Sequence, residues 1–202
     1  MFTKTECLTF GEITITLQIP DPQSLLKNAT TFYAKLWPSA IALAEFITTN
    51  PAFIANKNVL ELAAGLGLPG MVAAHIASEV TISDYIPEAV ELMKSSVVLN
   101  GLTNVRCELL DWYNLPTDLT TDVLLLSDIN YDPEAFEVLY QVLGGFLASG
   151  TTIILATPQR LMAKPFIERL LAFCTMQEEV QVSLNSEQTF ITILVLKNKA
   201  AG

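Results

Sequence analysis

Short runs of aliphatic residues alternate along the chain with stretches whose apolar positions recur every three to four residues. The runs are Asn58–Leu62, Glu79–Ser83, Val105–Leu110, Asp122–Ser127 and Thr151–Ala156. They are rich in Val, Ile and Leu without clean apolar–polar alternation, the pattern of parallel strands covered on both faces. Between them, Ser39–Thr49 carries Ile41, Ala44 and Ile47 on one helical face. Pro87–Leu99 has Ile86, Val90, Met93 and Val97 at helical spacing and closes at Asn100-Gly101. Asp132-Pro133-Glu134 reads as the cap, first-turn proline and first-turn acid of a helix running to about Ala148. Another helix is predicted over Lys164–Phe173. The chain finishes with two strand candidates, Glu179–Leu184 and Thr189–Lys197, joined by the turn-like Asn185-Ser186-Glu187. That ending is an antiparallel hairpin. The pattern predicts an α/β fold: a doubly wound, mostly parallel seven-stranded sheet ending in an antiparallel hairpin. Residues 1–202 form one domain on this reading, with 1–50 as an N-terminal strand and helix extension packed on it.

Composition narrows the class. At 51% hydrophobic and 16% charged residues, the chain has ample material for a core and is not a disordered tail. Val138–Gln159 holds no charge across 22 residues, long enough to span a bilayer. Gly144-Gly145 and Gly150 interrupt it, so a helix, a turn and a buried strand are expected there, with no membrane association. The first twenty residues lack the basic start and apolar run of a signal peptide. Cys7, Cys107 and Cys174 are odd in number and far apart, which predicts neither a disulfide framework nor a metal site. They read as buried residues of a cytoplasmic protein. A single histidine, His75, excludes multi-histidine metal centres and histidine-dependent triads. The net charge of −10 argues against a nucleic-acid partner and favours a cationic one.

In doubly wound sheets the ligand crevice lies at the carboxyl ends of the strands. The first core strand runs into Glu61-Leu62-Ala63-Ala64-Gly65-Leu66-Gly67-Leu68-Pro69-Gly70. Gly65 and Gly67 let backbone approach a ligand, and the helix that follows offers free N–H groups. Purely steric glycines are the alternative. Glu61 suits the ammonium of an amino-acid ligand and repels a pyrophosphate. With the antiparallel ending, it favours S-adenosylmethionine over a nicotinamide dinucleotide. Asp84 ends the second strand, placed to accept hydrogen bonds from ribose hydroxyls, or simply to cap a turn. Asp111-Trp112 ends the third; the acid can take an adenine amino group and the indole can flank the base, unless Trp112 is core. The fourth ends at Ser127-Asp128-Ile129-Asn130-Tyr131-Asp132. Asp132 has a capping duty, whereas Asp128 and Tyr131 have none, which makes them candidates for chemistry. Arg160, after the fifth strand, points to the same rim and reads as a solvated loop charge.

Together these segments resemble the seven-β-strand protein lysine methyltransferases, the family once labelled nicotinamide N-methyltransferase-like. The likeness runs from about Leu36 to Lys197 through Leu36-Trp37-Pro38-Ser39-Ala40, the glycine loop with its Leu-Pro-Gly ending, and Thr81-Ile82-Ser83-Asp84-Tyr85. Leu110-Asp111-Trp112 and Ser127-Asp128-Ile129-Asn130-Tyr131 complete it. The resemblance implies a Rossmann-like methyltransferase fold and S-adenosylmethionine contacts from Trp37, Ala63, Ala64, Gly65, Asp84, Trp112 and Ser127. It makes Asp128 and Tyr131 the substrate-side pair, with a protein lysine as acceptor. A small amine of the same chemical class, or a non-catalytic adenosyl-binding role, are the alternatives. Two residues depart from the family pattern. Ala63 stands where Gly is usual, tolerable at negative φ, and Asn130 replaces an apolar residue inside the Asp-x-x-Tyr motif.

Overall fold

The computed structural model describes residues 3–21 and 32–198. Its centre is a seven-stranded sheet in the order β5-β4-β3-β6-β7-β9-β8. The strands are β3 (Asn58–Leu62), β4 (Glu79–Asp84), β5 (Val105–Leu109), β6 (Val123–Ser127), β7 (Thr152–Pro158), β8 (Cys174–Leu184) and β9 (Glu187–Leu196). β3 pairs in parallel with both β4 and β6, and β9 runs antiparallel to β7 and β8. The doubly wound sheet with its antiparallel finish is as the hydrophobic pattern predicts. β8 begins five residues earlier than expected, through polar and exposed positions, because β9 supplies a pairing partner along that whole length.

The strands lack alternation because two cores sandwich them. In β6, Val123 and Leu125 face one cluster while Leu124 and Leu126 face the other. β7 and β9 divide in the same way: Ile154 and Ile193 go to the first, Ile153 and Leu194 to the second. Helices α1 (Pro38–Thr49), α2 (Leu68–Ala73) and α3 (Pro87–Leu99) cover the first face, and α4 (Phe136–Ala148) and α5 (Lys164–Leu170) the second. The uncharged stretch 138–159 divides into α4 and β7 at Gly150, whose φ is +87°. No helix among the described residues is long and apolar enough to cross a membrane.

The N-terminal extension is a hairpin of β1 (Thr3–Phe10) and β2 (Ile13–Pro20), a separate two-stranded sheet. Ile13, Ile15, Leu17 and Ile19 alternate with polar residues, and Gly11 turns the chain at φ +58°. This period-two signal marks one buried face. The outer edge of β2 is bound by α3: Gln18 N donates to Ser96 Oγ (2.9 Å) and Thr16 N to Asn100 Oδ1 (2.8 Å). Polar side chains thereby satisfy an edge that would otherwise invite another strand. The cysteines correct the expectation of burial: Cys7 is exposed, Cys107 and Cys174 half-buried, and all are unpaired.

Two glycines test the packing in opposite directions. A Cβ on Gly70 would lie 2.1 Å from Ile82 Cγ2 and 2.7 Å from Glu61 Oε2, whereas one on Gly144 meets nothing within 4 Å. Gly70→Ala is expected to destabilise by about 1–3 kcal/mol. Gly144→Ala, inside α4, is expected to stabilise by roughly 0.5–1 kcal/mol. Urea denaturation of both variants checks the pair; equal effects would contradict the packing described.

Candidate functional site

The carboxyl ends of β3, β4 and β6, joined by the segment before α1, enclose a cavity of about 230 Å³. The loop after β3 is bent by a run of left-handed residues, Ala63 at φ +52°, Gly65 at +55° and Gly67 at +73°. Gly67 N–H closes the turn on Ala64 O (2.8 Å), and α2 starts at Leu68. Neighbouring strand ends are stitched to it. Ala64 N–H donates to Ser83 O (2.8 Å), and Ser83 Oγ donates to Glu61 O (2.8 Å).

Asp84 sits in the cavity wall, 5% exposed, where its Oδ2 accepts from Gly65 N (2.9 Å) and its Oδ1 from Ile86 N (3.0 Å). It spans the glycine loop and the start of α3. Burial pushes its carboxyl pKa up, against the pull of these backbone N–H groups. A carboxylate holds about four lone-pair positions, so these bonds leave acceptor capacity for a ligand.

Glu61 does not reach the cavity, which corrects the expectation that it meets a ligand ammonium. It is completely buried, with Oε2 accepting from Gly70 N (2.7 Å) and Oε1 without a partner. Burial drives its carboxyl from the ordinary 4.5 up to about 8, opposed by the Gly70 N–H and reinforced by Asp84. Glu61 supports the loop from beneath and carries a proton at neutral pH.

Of the other expected site residues, Trp37, Ala63, Ala64, Gly65, Ser127, Asp128 and Tyr131 line the cavity together with Asp84. Gly67 shapes the turn behind it: a Cβ there would meet Ile82 Cδ1 at 3.0 Å and Met93 Sδ at 3.1 Å, so its role is steric. Asp111 and Trp112 stand outside. Asp111 is exposed and its Oδ1 accepts from Tyr113 N (3.0 Å), a turn bond. Trp112 packs on the second core and borders a small adjoining pocket with Leu62, Leu110, Ala63 and Tyr85. Ala63 and Tyr85 also line the main cavity, so the indole lies one residue layer beyond it.

Two parts of the wall, Phe32 and Tyr85, had no expected role, and a third, Arg160, takes a different one. The Phe32 ring packs tilted against Tyr131, centroids 5.5 Å apart, and lies 6.2 Å from Trp37, whose Nε1 donates to Phe32 O (2.9 Å). Tyr85 and Phe32 are each about half exposed at the mouth. The aromatic density of Phe32-Tyr33 ahead of Trp37 is a signal for the first; nothing local distinguishes Tyr85. Arg160 is the third and corrects the expectation of a solvated charge: it lines the cavity and forms an ion pair with Asp128. Burial raises the Tyr131 phenol pKa, with Tyr85, Asp84, Asp132 and Asp128 acting in the same direction.

A sequence profile for the lysine methyltransferase family matches residues 26–173. The protein N-lysine methyltransferase METTL21A of Danio rerio is 31% identical over 175 residues, covering 83% of this chain and 78% of that protein. The histone-arginine methyltransferase METTL23 of Homo sapiens is 33% identical over 108 residues, half of this chain and 57% of that protein. The chain spans about half the length of the histone-arginine methyltransferases it matches. Among solved structures, the T. thermophilus 16S rRNA methyltransferase RsmC aligns at TM-score 0.69 and 14% identity over 98% of this chain and 51% of that one. The N-methyltransferase NodS of Bradyrhizobium japonicum, solved with S-adenosyl-L-homocysteine, aligns at 0.61 and 15% identity over 78% of this chain and 85% of that one. At these identities the structures show the fold.

Two outcomes check the loop. The sequence expectation allowed an alanine at position 63 only at negative φ, but φ is +52°. Ala63→Gly should relieve that conformation and stabilise by about 0.5–1 kcal/mol after the unfolded-chain entropy of glycine is counted. Thermal melts of parent and variant measure it. For Glu61, the folded-state pKa exceeds the unfolded one, so the folded chain binds the extra proton between roughly pH 4.5 and 8. Its contribution is fully present below the lower value and is lost as pH rises through the window. Glu61→Gln, which keeps an acceptor for Gly70 N–H, should gain stability relative to the parent steadily from pH 5 to pH 8. A difference that does not change with pH contradicts the assignment.

Proposed function

The chain belongs to the lysine methyltransferase family, and from that premise we propose that it is an S-adenosylmethionine-dependent N-methyltransferase acting on a lysine side chain of a protein. The observation that carries the reading is the convergence of Gly65, Asp84, Asp128 and Tyr131 on one cavity at the strand ends. The residues fit the adenosyl ligand. Gly65 lacks the Cβ that would sit 3.4 Å from Tyr33 O, leaving backbone open to the cavity, and Asp84 offers lone pairs for ribose hydroxyls. Trp37, Ala63, Ala64 and Ser127 supply the rest of the cradle. Trp112 would reach the adenine only from the adjoining pocket, and Asp111, an exposed turn residue, lies outside both pockets.

When bound, S-adenosylmethionine supplies an electrophilic methyl: the acceptor nitrogen's lone pair forms the new N–C bond, the S–C bonding pair returns to sulfur, and nitrogen loses a proton. The chain's own contribution is orientation and exclusion of water. Phe32, Trp37 and Tyr131 form an aromatic mouth that desolvates an incoming alkylammonium, which favours its neutral form. Tyr131, a phenol whose pKa burial pushes above its ordinary value, orients the amine by hydrogen bonding. Asp128 supplies the negative charge that attracts the cation. The net charge of −10 suits a basic protein partner, and the three unpaired cysteines support a cytoplasmic setting.

An arginine acceptor is a second reading, favoured by one contact: the Asp128 carboxylate already receives a guanidinium in this structure. Incubating the pure protein with labelled S-adenosylmethionine and cell extract separates the possibilities. Label recovered as methyl-lysine from a discrete protein supports the first reading, methyl-arginine the second, and label confined to small molecules overturns both. Asp84→Ala should weaken S-adenosylhomocysteine about tenfold to a hundredfold by calorimetry, the scale of ~1–3 kcal/mol for lost hydrogen bonds at a buried acceptor. Unchanged affinity removes Asp84 from the ligand site.

A further inference from the structure

Asp128 does not face an open space. Its left-handed backbone, φ +58°, turns the side chain at the end of β6 to where the Arg160 guanidinium pairs with it. Arg160 Nη1 also donates to Asn130 Oδ1 (3.2 Å), and that oxygen accepts from Thr157 Oγ1 (2.6 Å). Asn130 is completely buried, with its Nδ2 unpartnered. The Asp128 side chain is 10% exposed and that of Arg160 27%. The arginine therefore covers the carboxylate while keeping its own route to solvent, and the next residue, Leu161, is 93% exposed.

A carboxylate buried to this degree is expensive to leave bare, and removing its cation without a replacement is strongly unfavourable. Any acceptor that uses Asp128 must bring a cation of its own. We propose that Arg160 is an internal stand-in for the acceptor: the incoming ammonium binds Asp128 by displacing the Arg160 guanidinium to solvent, one cation exchanged for another. The proposal rests on reading this cavity as the methyl-transfer site and adds the condition for entry. Exchange leaves the charge of the pocket unchanged, so neither state exposes an unpaired carboxylate. A neutral or anionic molecule offers Asp128 nothing in return and does not open it. Asn130, polar where the family pattern has an apolar residue, gives Arg160 a second acceptor and so strengthens the closed state.

A site open a fraction f of the time binds with its intrinsic dissociation constant divided by f, so a pair closed about 90% of the time weakens the acceptor about tenfold. The probe is n-butylammonium, the lysine side chain without its backbone, titrated calorimetrically into the full chain with and without saturating S-adenosylhomocysteine. Arg160→Gln should tighten its binding about tenfold, and Arg160→Lys, which retains a cation, should stay near the parent. Adding Asp128→Asn to Arg160→Gln should abolish the gain. Should Arg160→Gln fail to fold, Asn130→Val loosens the arginine by its second contact and should tighten the probe about two- to threefold. Unchanged or weaker binding in the arginine variant, or a gain that survives Asp128→Asn, overturns the exchange. If S-adenosylhomocysteine itself does not bind, the methyl-transfer reading falls, while the titration without it still decides whether Arg160 guards Asp128.

Discussion

Two carboxyl groups hold the glycine loop by its backbone, one from beneath and one from the side. Glu61 takes the N–H of Gly70 in the buried interior, and Asp84 takes the N–H of Gly65 at the cavity wall. Around these bonds the chain passes through three left-handed residues, Ala63, Gly65 and Gly67, and enters α2. A loop so tightly curved leaves amide groups that the strand ladder cannot satisfy, and buried donors demand partners. The strand ends meet that demand. Gly70 must lack a side chain so that Glu61 and Ile82 can close under it, and Asp84 must be buried so that it can reach both Gly65 and Ile86. The cavity lies between this loop, the ends of β4 and β6, and the aromatic segment before α1.

The two sides of the cavity are built by different physics. On the loop side, backbone N–H groups and a partly desolvated carboxylate form a rigid cradle in which little charge is free to move. On the opposite side, Asp128 and Arg160 form an ion pair open to solvent at one edge, supported by Asn130 and Thr157. Such a pair is replaceable in a way that a buried backbone bond is not. The division suits the proposed methyl transfer to an amine that arrives as a cation, with one ligand held in fixed geometry while the other enters and leaves.

Much of the architecture was legible in the chain itself. Five aliphatic runs without alternation require a sheet covered on both faces, since only double burial removes the polar positions. The turn residues at Asn185-Ser186 and the two β-rich segments around them require the terminal hairpin, and both residues do take positive φ. At the N-terminus the expectation is a strand and a helix; the alternation from Ile13 to Ile19 is a signal for β2, and the fold adds β1 as its antiparallel partner. Cavity residues at strand ends, among them Asp84, Ser127, Asp128 and Tyr131, follow from the rule that parallel sheets bind ligands there.

What a residue does once there depended on neighbours distant in sequence. Glu61 has the composition of a ligand contact, but Gly70 and Ile82 close over it, and burial then protonates it. Arg160 has the composition of a loop charge, yet the parallel pairing of β6 and β7 brings it beside Asp128, 32 residues earlier. Trp112 reads as a base-stacking ring, but Ala63 and Tyr85 stand between it and the main cavity. Hydrophobic periodicity is a local property and determined the layers, the strands and the end of the sheet that holds the site. Charge state, hydrogen-bond partner and exposure are set by atoms that only the folded chain brings within a few ångströms, so these were decided by tertiary structure.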